Sequence, residues 1–221
     1  MEGKRKGAGM SKIVEAGQQV LLVTGGRNGT SNTSVITDTF EIMDKPYKWR
    51  SMTSTLALRN HCQHGRWIFG GIEEDGNYSR TVYKLDEDYK WENYFELSRA
   101  RANCGVAKIR NLGYNTDYYY VVGGDREEGD NYIEKFDKYG SVNFGVPLPS
   151  EIQGDGVDYI SPFGFNGTLH LFDRYGNIYR LKSDILDEEV ENWEKVKTKD
   201  EGLKISHKIL VIQQHHIFGV K

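Results

Sequence analysis

The sequence predicts an all-β fold built from tandem four-stranded antiparallel units, the organisation of a β-propeller, and three observations predict it. An apolar strand ending in two glycines is written three times, as Val23-Thr24-Gly25-Gly26, Ile68-Phe69-Gly70-Gly71 and Val121-Val122-Gly123-Gly124. The copies are 45 and 53 residues apart, around the spacing of about 40 to 50 residues typical of propeller blades. Composition agrees: 25 Gly and 14 Tyr against 4 Pro describe short aromatic strands joined by Gly, Asn and Asp turns.

In chain order, residues 1–10 carry Lys4, Arg5 and Lys6 and read as a disordered basic tail. Residues 11–16 supply the first strand, residues 17–19 a turn, and the double-glycine strand follows. A third strand recurs as Phe40-Glu41-Ile42-Met43-Asp44, Val82-Tyr83-Lys84-Leu85-Asp86 and Ile133-Glu134-Lys135-Phe136-Asp137, its alternation burying one face. Five residues beyond the aspartate come Trp49 and Trp91, in Tyr47-Lys48-Trp49 and Tyr89-Lys90-Trp91. Arg59-Asn60-His61-Cys62 and Arg101-Ala102-Asn103-Cys104 lead into the second and third units, offset by the 42 residues that separate the tryptophans. The units therefore run roughly over 11–54, 55–97, 98–150 and 151–200, with a partial fifth over 201–221.

The later units depart from the pattern. The third has Phe144 at the tryptophan position and an inserted polar turn over residues 110–116. The fourth keeps Leu169-His170-Leu171-Phe172, Asn177-Ile178-Tyr179-Arg180-Leu181 and Trp193, with Asp173-Arg174 where two glycines belong and a loop over residues 184–191. Residues 204–212 and 215–219 have the pattern of two further strands.

Double glycine, apolar-Asp and a spaced tryptophan together resemble the kelch repeat family from residue 11 onward. The resemblance implies one twisted four-stranded blade per repeat around a central channel. Gly25, Gly26, Gly70, Gly71, Gly123 and Gly124 then serve close backbone packing, and Trp49, Trp91 and Trp193 fill the gaps between blades. About four and a half blades fall short of a regular closed ring.

The resemblance also implies what the chain does. Kelch propellers bind other proteins through their loops and the residues leading into each first strand, and such modules select substrates for ubiquitin ligases or bind the cytoskeleton. The candidate partner-binding residues are Arg27, Asn28, Arg59, Asn60, Glu73, Glu74, Arg101, Asn103, Asp125 and Arg126. They lie on polar, glycine-punctuated loops, where arginines hold acidic side chains in bidentate fashion. For Arg59, Asn60, Arg101 and Asn103, pairing with the neighbouring acidic loops is an equal alternative. The expectation is a non-catalytic protein-interaction scaffold without cofactor or metal. The alternatives are a propeller enzyme acting on a small carbohydrate-like substrate in the channel, and an incomplete propeller.

Candidate chemistry is sparse. Of the histidines, only His61 with His64 and His215 with His216 lie close in sequence, and each pair diverges on an extended strand. No nucleophile turn or phosphate-binding loop occurs. A formal charge of −3 offers no attraction to nucleic acid or anionic membranes. The N-terminal basic residues are followed by no apolar stretch, and an intracellular, cytoplasmic location is expected. Cys62 and Cys104 are expected to be buried thiols, a single bridge being the alternative. The Asn-x-Ser/Thr sequons at Asn28, Asn32, Asn77 and Asn166 are set aside for want of an export signal.

Overall fold

The computed structural model describes residues 5–28, 39–45, 48–53, 56–111, 115–126, 132–140, 142–152, 160–173, 175–182 and 192–196. They form four antiparallel sheets, each of four strands paired in chain order. Sheet 1 is β2 (Gly9–Glu15), β3 (Gln18–Thr24), β5 (Thr39–Lys45) and β6 (Lys48–Thr53). Sheet 2 is β7 (Cys62–His64), β8 (Trp67–Ile72), β9 (Tyr78–Leu85) and β10 (Trp91–Glu96). Sheet 3 is β12 (Gly105–Asn111), β13 (Thr116–Val122), β15 (Tyr132–Phe136) and β16 (Val142–Pro147). Sheet 4 is β17 (Ser161–Phe165), β18 (Thr168–Phe172), β19 (Ile178–Leu181) and β20 (Trp193–Val196). One 3-10 turn, Ser150–Ile152, is the sole helical element among the described residues.

Neighbouring sheets meet through their first strands: β2 lies beside β7, β7 beside β12, and β12 beside β17. Apolar residues from facing sheets fill the gaps. Ile13, Val20, Leu22 and Ile42 pack with Leu85 and Trp91 between sheets 1 and 2. Cys62, Phe69 and Val82 meet Tyr119, Val121 and Phe136 between sheets 2 and 3. Between sheets 3 and 4, Ile109, Val122 and Val146 meet Leu169, Leu171 and Trp193, whose Nε1–H donates to the Pro147 carbonyl at 2.7 Å. This succession of blade-like sheets is consistent with a β-propeller.

Register corrects three expectations. Trp49, Trp91 and Trp193 stand opposite Met43, Leu85 and Leu181 of the third strands. The corresponding partner of Phe136 is Val142, whereas Phe144 stands opposite Glu134. The count from the glycines misleads because Phe136 follows Gly123 by 13 residues, whereas Leu85 follows Gly70 by 15. The basic tail is not a tail throughout, since β1 (Arg5–Lys6) pairs with β4 (Arg27–Asn28), and β2 begins at Gly9. Cys62 and Cys104 form a disulfide between β7 and the lead into β12, their Cα atoms 5.6 Å apart, and are not free thiols. The loop at 184–191 and the fifth unit over 201–221 lie outside the described residues.

Candidate functional site

The double glycines build one end of sheets 1, 2 and 3. Gly25 and Gly70 have φ of +56° and +59°, and a Cβ on either would strike the carbonyl oxygen of Leu58 or Arg101, leading into the next sheet. The second glycines, Gly26, Gly71 and Gly124, press on the first-strand lead of their own sheet. Each position thus needs both left-handed backbone freedom and the absence of a side chain.

Just beyond the glycines, the chain pairs with the segment leading into its own sheet. β4 pairs with β1, Ile72 bridges to Arg59, and β14 (Asp125–Arg126) pairs with β11 (Arg101–Ala102). Lys6, Arg59 and Ala102 are therefore equivalent, so Arg59 corresponds to Ala102 and Arg101 to Leu58. The expected Arg59–Arg101 correspondence is off by one residue. The next positions, Gly7, Asn60 and Asn103, are all left-handed, with φ of +70°, +54° and +53°. They are joined around the inner rim by backbone hydrogen bonds: Asn60 N–H donates to Gly7 C=O at 2.7 Å, and Asn103 N–H to Asn60 C=O at 2.6 Å. Asparagine suits these positions because it tolerates the left-handed region.

Two arginines flank this rim. Gly26 N–H donates to Leu58 C=O at 2.9 Å, which sets the following residues, Arg27 and Arg59, side by side. Both are half-buried, and the Nε of each is buried with no hydrogen-bond partner among the described residues. Burial, then the Arg27 charge, lower the Arg59 pKa, and nearby Tyr78 opposes them. Two adjacent cations with unused donors form an arrangement suited to a carboxylate.

Arg101 has a different role and is corrected as a rim residue. Its side chain is 0% exposed and ion-pairs with Glu134 on β15, while its Nη1 donates to Gly123 C=O at 3.2 Å. Glu134 also accepts the Ser98 N–H at 2.7 Å, so the pair clamps the chain entering sheet 3. Sequence reasoning overlooked Glu134, although Glu41 occupies the same register position in sheet 1, opposite Val23 as Glu134 is opposite Val121.

The other candidates are spread along the same end. Glu73 and Glu74 lie on the turn closed by Glu73 N–H to Asn77 C=O at 2.9 Å, with Glu74 exposed. Asn28, Asp125 and Arg126 are placed by backbone pairing beside Arg5, Ala102 and Arg101. In sheet 4, buried Asp173 replaces the first glycine and closes an equivalent turn, its carboxylate accepting the Tyr175 and Asn177 N–H groups at 2.9 and 2.8 Å.

His61 and His64 are packing residues. His61 Nε2 lies 2.7 Å from Thr24 Oγ1, which donates to Gln63 Oε1 at 2.8 Å. With the hydroxyl proton so committed, His61 must be the Nε2–H tautomer, and its buried Nδ1 is unpartnered. Burial drops its pKa to about 4. His64 turns the other way, onto the Tyr119 ring, and burial, aided by Lys108, holds it at about 4 as well. Among the described residues no three His, Cys, Asp or Glu side chains converge as a metal site, and no helix is long and apolar enough to cross a membrane. His215 and His216 lie outside the described residues.

No protein-family model and no curated protein matches the chain. Among solved structures, that described as the structure of YjhT is similar, with a TM-score of 0.62 at 15% sequence identity. The match covers 82% of this chain and 61% of that one, so the chain spans less than two thirds of that structure's length. Similarity at this identity concerns the fold alone.

Proposed function

We propose that this chain is a kelch-type propeller unit acting as a non-catalytic protein-interaction scaffold, whose inner rim takes an acidic side chain of a partner between Arg27 and Arg59. The observation that carries the reading is that the charges of Arg27 and Arg59 act on one another and that each has a buried Nε lacking a partner among the described residues. A buried donor without an acceptor costs free energy that a partner carboxylate would recover. The glycine geometry and the backbone links through Asn60 and Asn103 support a rigid platform beneath the pair, which lowers the entropic cost of binding. A partial fifth blade over residues 201–221 belongs to the same proposal.

Binding of the purified chain to matched peptides, one rich in Asp and Glu and one with Asn and Gln in their place, tests it. The acidic peptide should bind at least about tenfold tighter, and Arg27→Ala and Arg59→Ala should each remove about tenfold, in line with a charge-assisted hydrogen bond. Arg80→Ala, which removes an exposed pair with Glu96, should change nothing. Equal binding of the two peptides would refute the rim reading. Affinity capture from cells with the Arg27→Glu/Arg59→Glu chain as control then separates a ubiquitin-ligase role from a cytoskeletal one.

A further inference from the structure

Two features set aside in the sequence take on a common meaning in the structure. Cys62 and Cys104 are joined, so no cysteine of the described chain is free. Stable disulfides belong to oxidising compartments, the secretory pathway above all, which is also where N-x-Ser/Thr sequons are glycosylated. Two of the four sequons have described side chains at the asparagine, Asn77 and Asn166, and both are exposed on turns. Asn77 ends the turn after the second double glycine. Asn166 forms with Gly167 the two-residue turn between β17 and β18, both residues at positive φ, as a tight hairpin of Asn-Gly type requires.

We infer that this chain matures in an oxidising, glycosylating compartment and carries N-linked glycans on Asn77 and Asn166. In the transfer step, the Asn Nδ2 forms a C–N bond to the first sugar of a polyprenyl-diphosphate-linked oligosaccharide. The sugar–phosphate bond breaks, the diphosphate leaves, and one amide proton passes to a base. The disulfide arises by exchange with a protein disulfide oxidant, which takes up the two electrons and two protons of the thiols. The structure accommodates both glycans. Asn77 Nδ2 donates to Asp75 Oδ2 at 2.7 Å, and the glycosylated amide keeps one N–H for that bond. Asn166 is exposed on its hairpin turn, and it adjoins Phe165, 59% exposed, which a glycan would shield from solvent.

The test uses the native protein, isolated from its own cells with free thiols blocked at lysis. Peptide N-glycosidase treatment in heavy-oxygen water, followed by peptide mass spectrometry, converts each glycosylated asparagine to a labelled aspartate. Labelled residues 77 and 166 together with a Cys62–Cys104 cross-linked peptide are the expected result. Unlabelled Asn77 and Asn166 overturn the inference, whether the cysteines come out blocked, as in a reducing compartment, or linked, as in a cytosolic redox pair. Glycan occupancy would exclude both the ubiquitin-ligase and the cytoskeletal role and leave acidic-peptide binding by Arg27 and Arg59 to be judged by its own experiment.

Discussion

At the scale of the residue, one side chain more or less decides whether neighbouring sheets meet. Gly25 and Gly70 touch the carbonyl that leads into the next sheet, whereas Gly65 has a similar φ of +58° and open space around it. Alanine at Gly65 should therefore cost about 1 kcal/mol, for the left-handed backbone alone. Alanine at Gly70 should cost about 3 kcal/mol or more, since overpacking adds to the same strain. Urea denaturation of the two variants checks the difference, and equal midpoints would mean that the inter-sheet contact is not tight. Arg101 presents a second contrast with Arg59. Because its guanidinium is buried against Glu134, Arg101→Ala strands a buried carboxylate, and a loss of about 3 to 5 kcal/mol is expected. Arg59→Ala should leave stability within about 1 kcal/mol and reduce peptide binding, so the two arginines separate in a paired measurement of unfolding and affinity.

At the scale of the element, β7 and the residues leading into it tie sheet 2 to both neighbours through histidines that point opposite ways. His61 and His64 titrate near pH 4 in the folded chain and near 6.5 when unfolded. Below pH 6.5 the unfolded chain takes up protons that the folded one does not, so the stability contributed is complete above 6.5 and is lost as pH falls towards 4. His64→Phe keeps a ring on Tyr119 and removes one titration, leaving those of His61 and of His170, whose pKa burial also lowers. The pH dependence of its unfolding free energy between 6.5 and 4 should be shallower than that of the parent, and an unchanged slope would show that His64 titrates normally. The strands themselves were legible, because double glycines, period-two alternation and the Asp-to-Trp spacing are local signals. Phe144 shows where such reading ends: the third strand sets the register of the fourth, and counting from the glycines crosses a loop of variable length. The one-residue error between Arg59 and Arg101 has the same origin, since a repeated Arg looks like an equivalence that only the ladder to Ile72 and Asp125 corrects. Glu134 as the partner of Arg101 was illegible because the two are brought together across sheet 3 and not along the chain.

At the scale of the whole molecule, the sheets are held by contacts between neighbours, and stability is expected to be distributed junction by junction. The junction between sheets 2 and 3 is the one that also carries a covalent bond, linking residues 42 apart. Loop-closure entropy for that separation corresponds to about 4 kcal/mol, a large share of the stability of a domain this size. Cys62→Ser/Cys104→Ser should therefore shift the urea midpoint down strongly, and a reducing agent should do the same to the parent and nothing further to the variant. Because the apolar cluster of Phe69, Val82, Tyr119 and Phe136 remains, the loss should appear first as faster amide exchange in β7 and β12, before β3 or β18 open. Equal midpoints with and without reductant would show that the two sulfurs are unlinked in the native protein. That outcome would also remove the footing of the secretory inference, while leaving the glycine packing and the arginine pair of the rim as they stand.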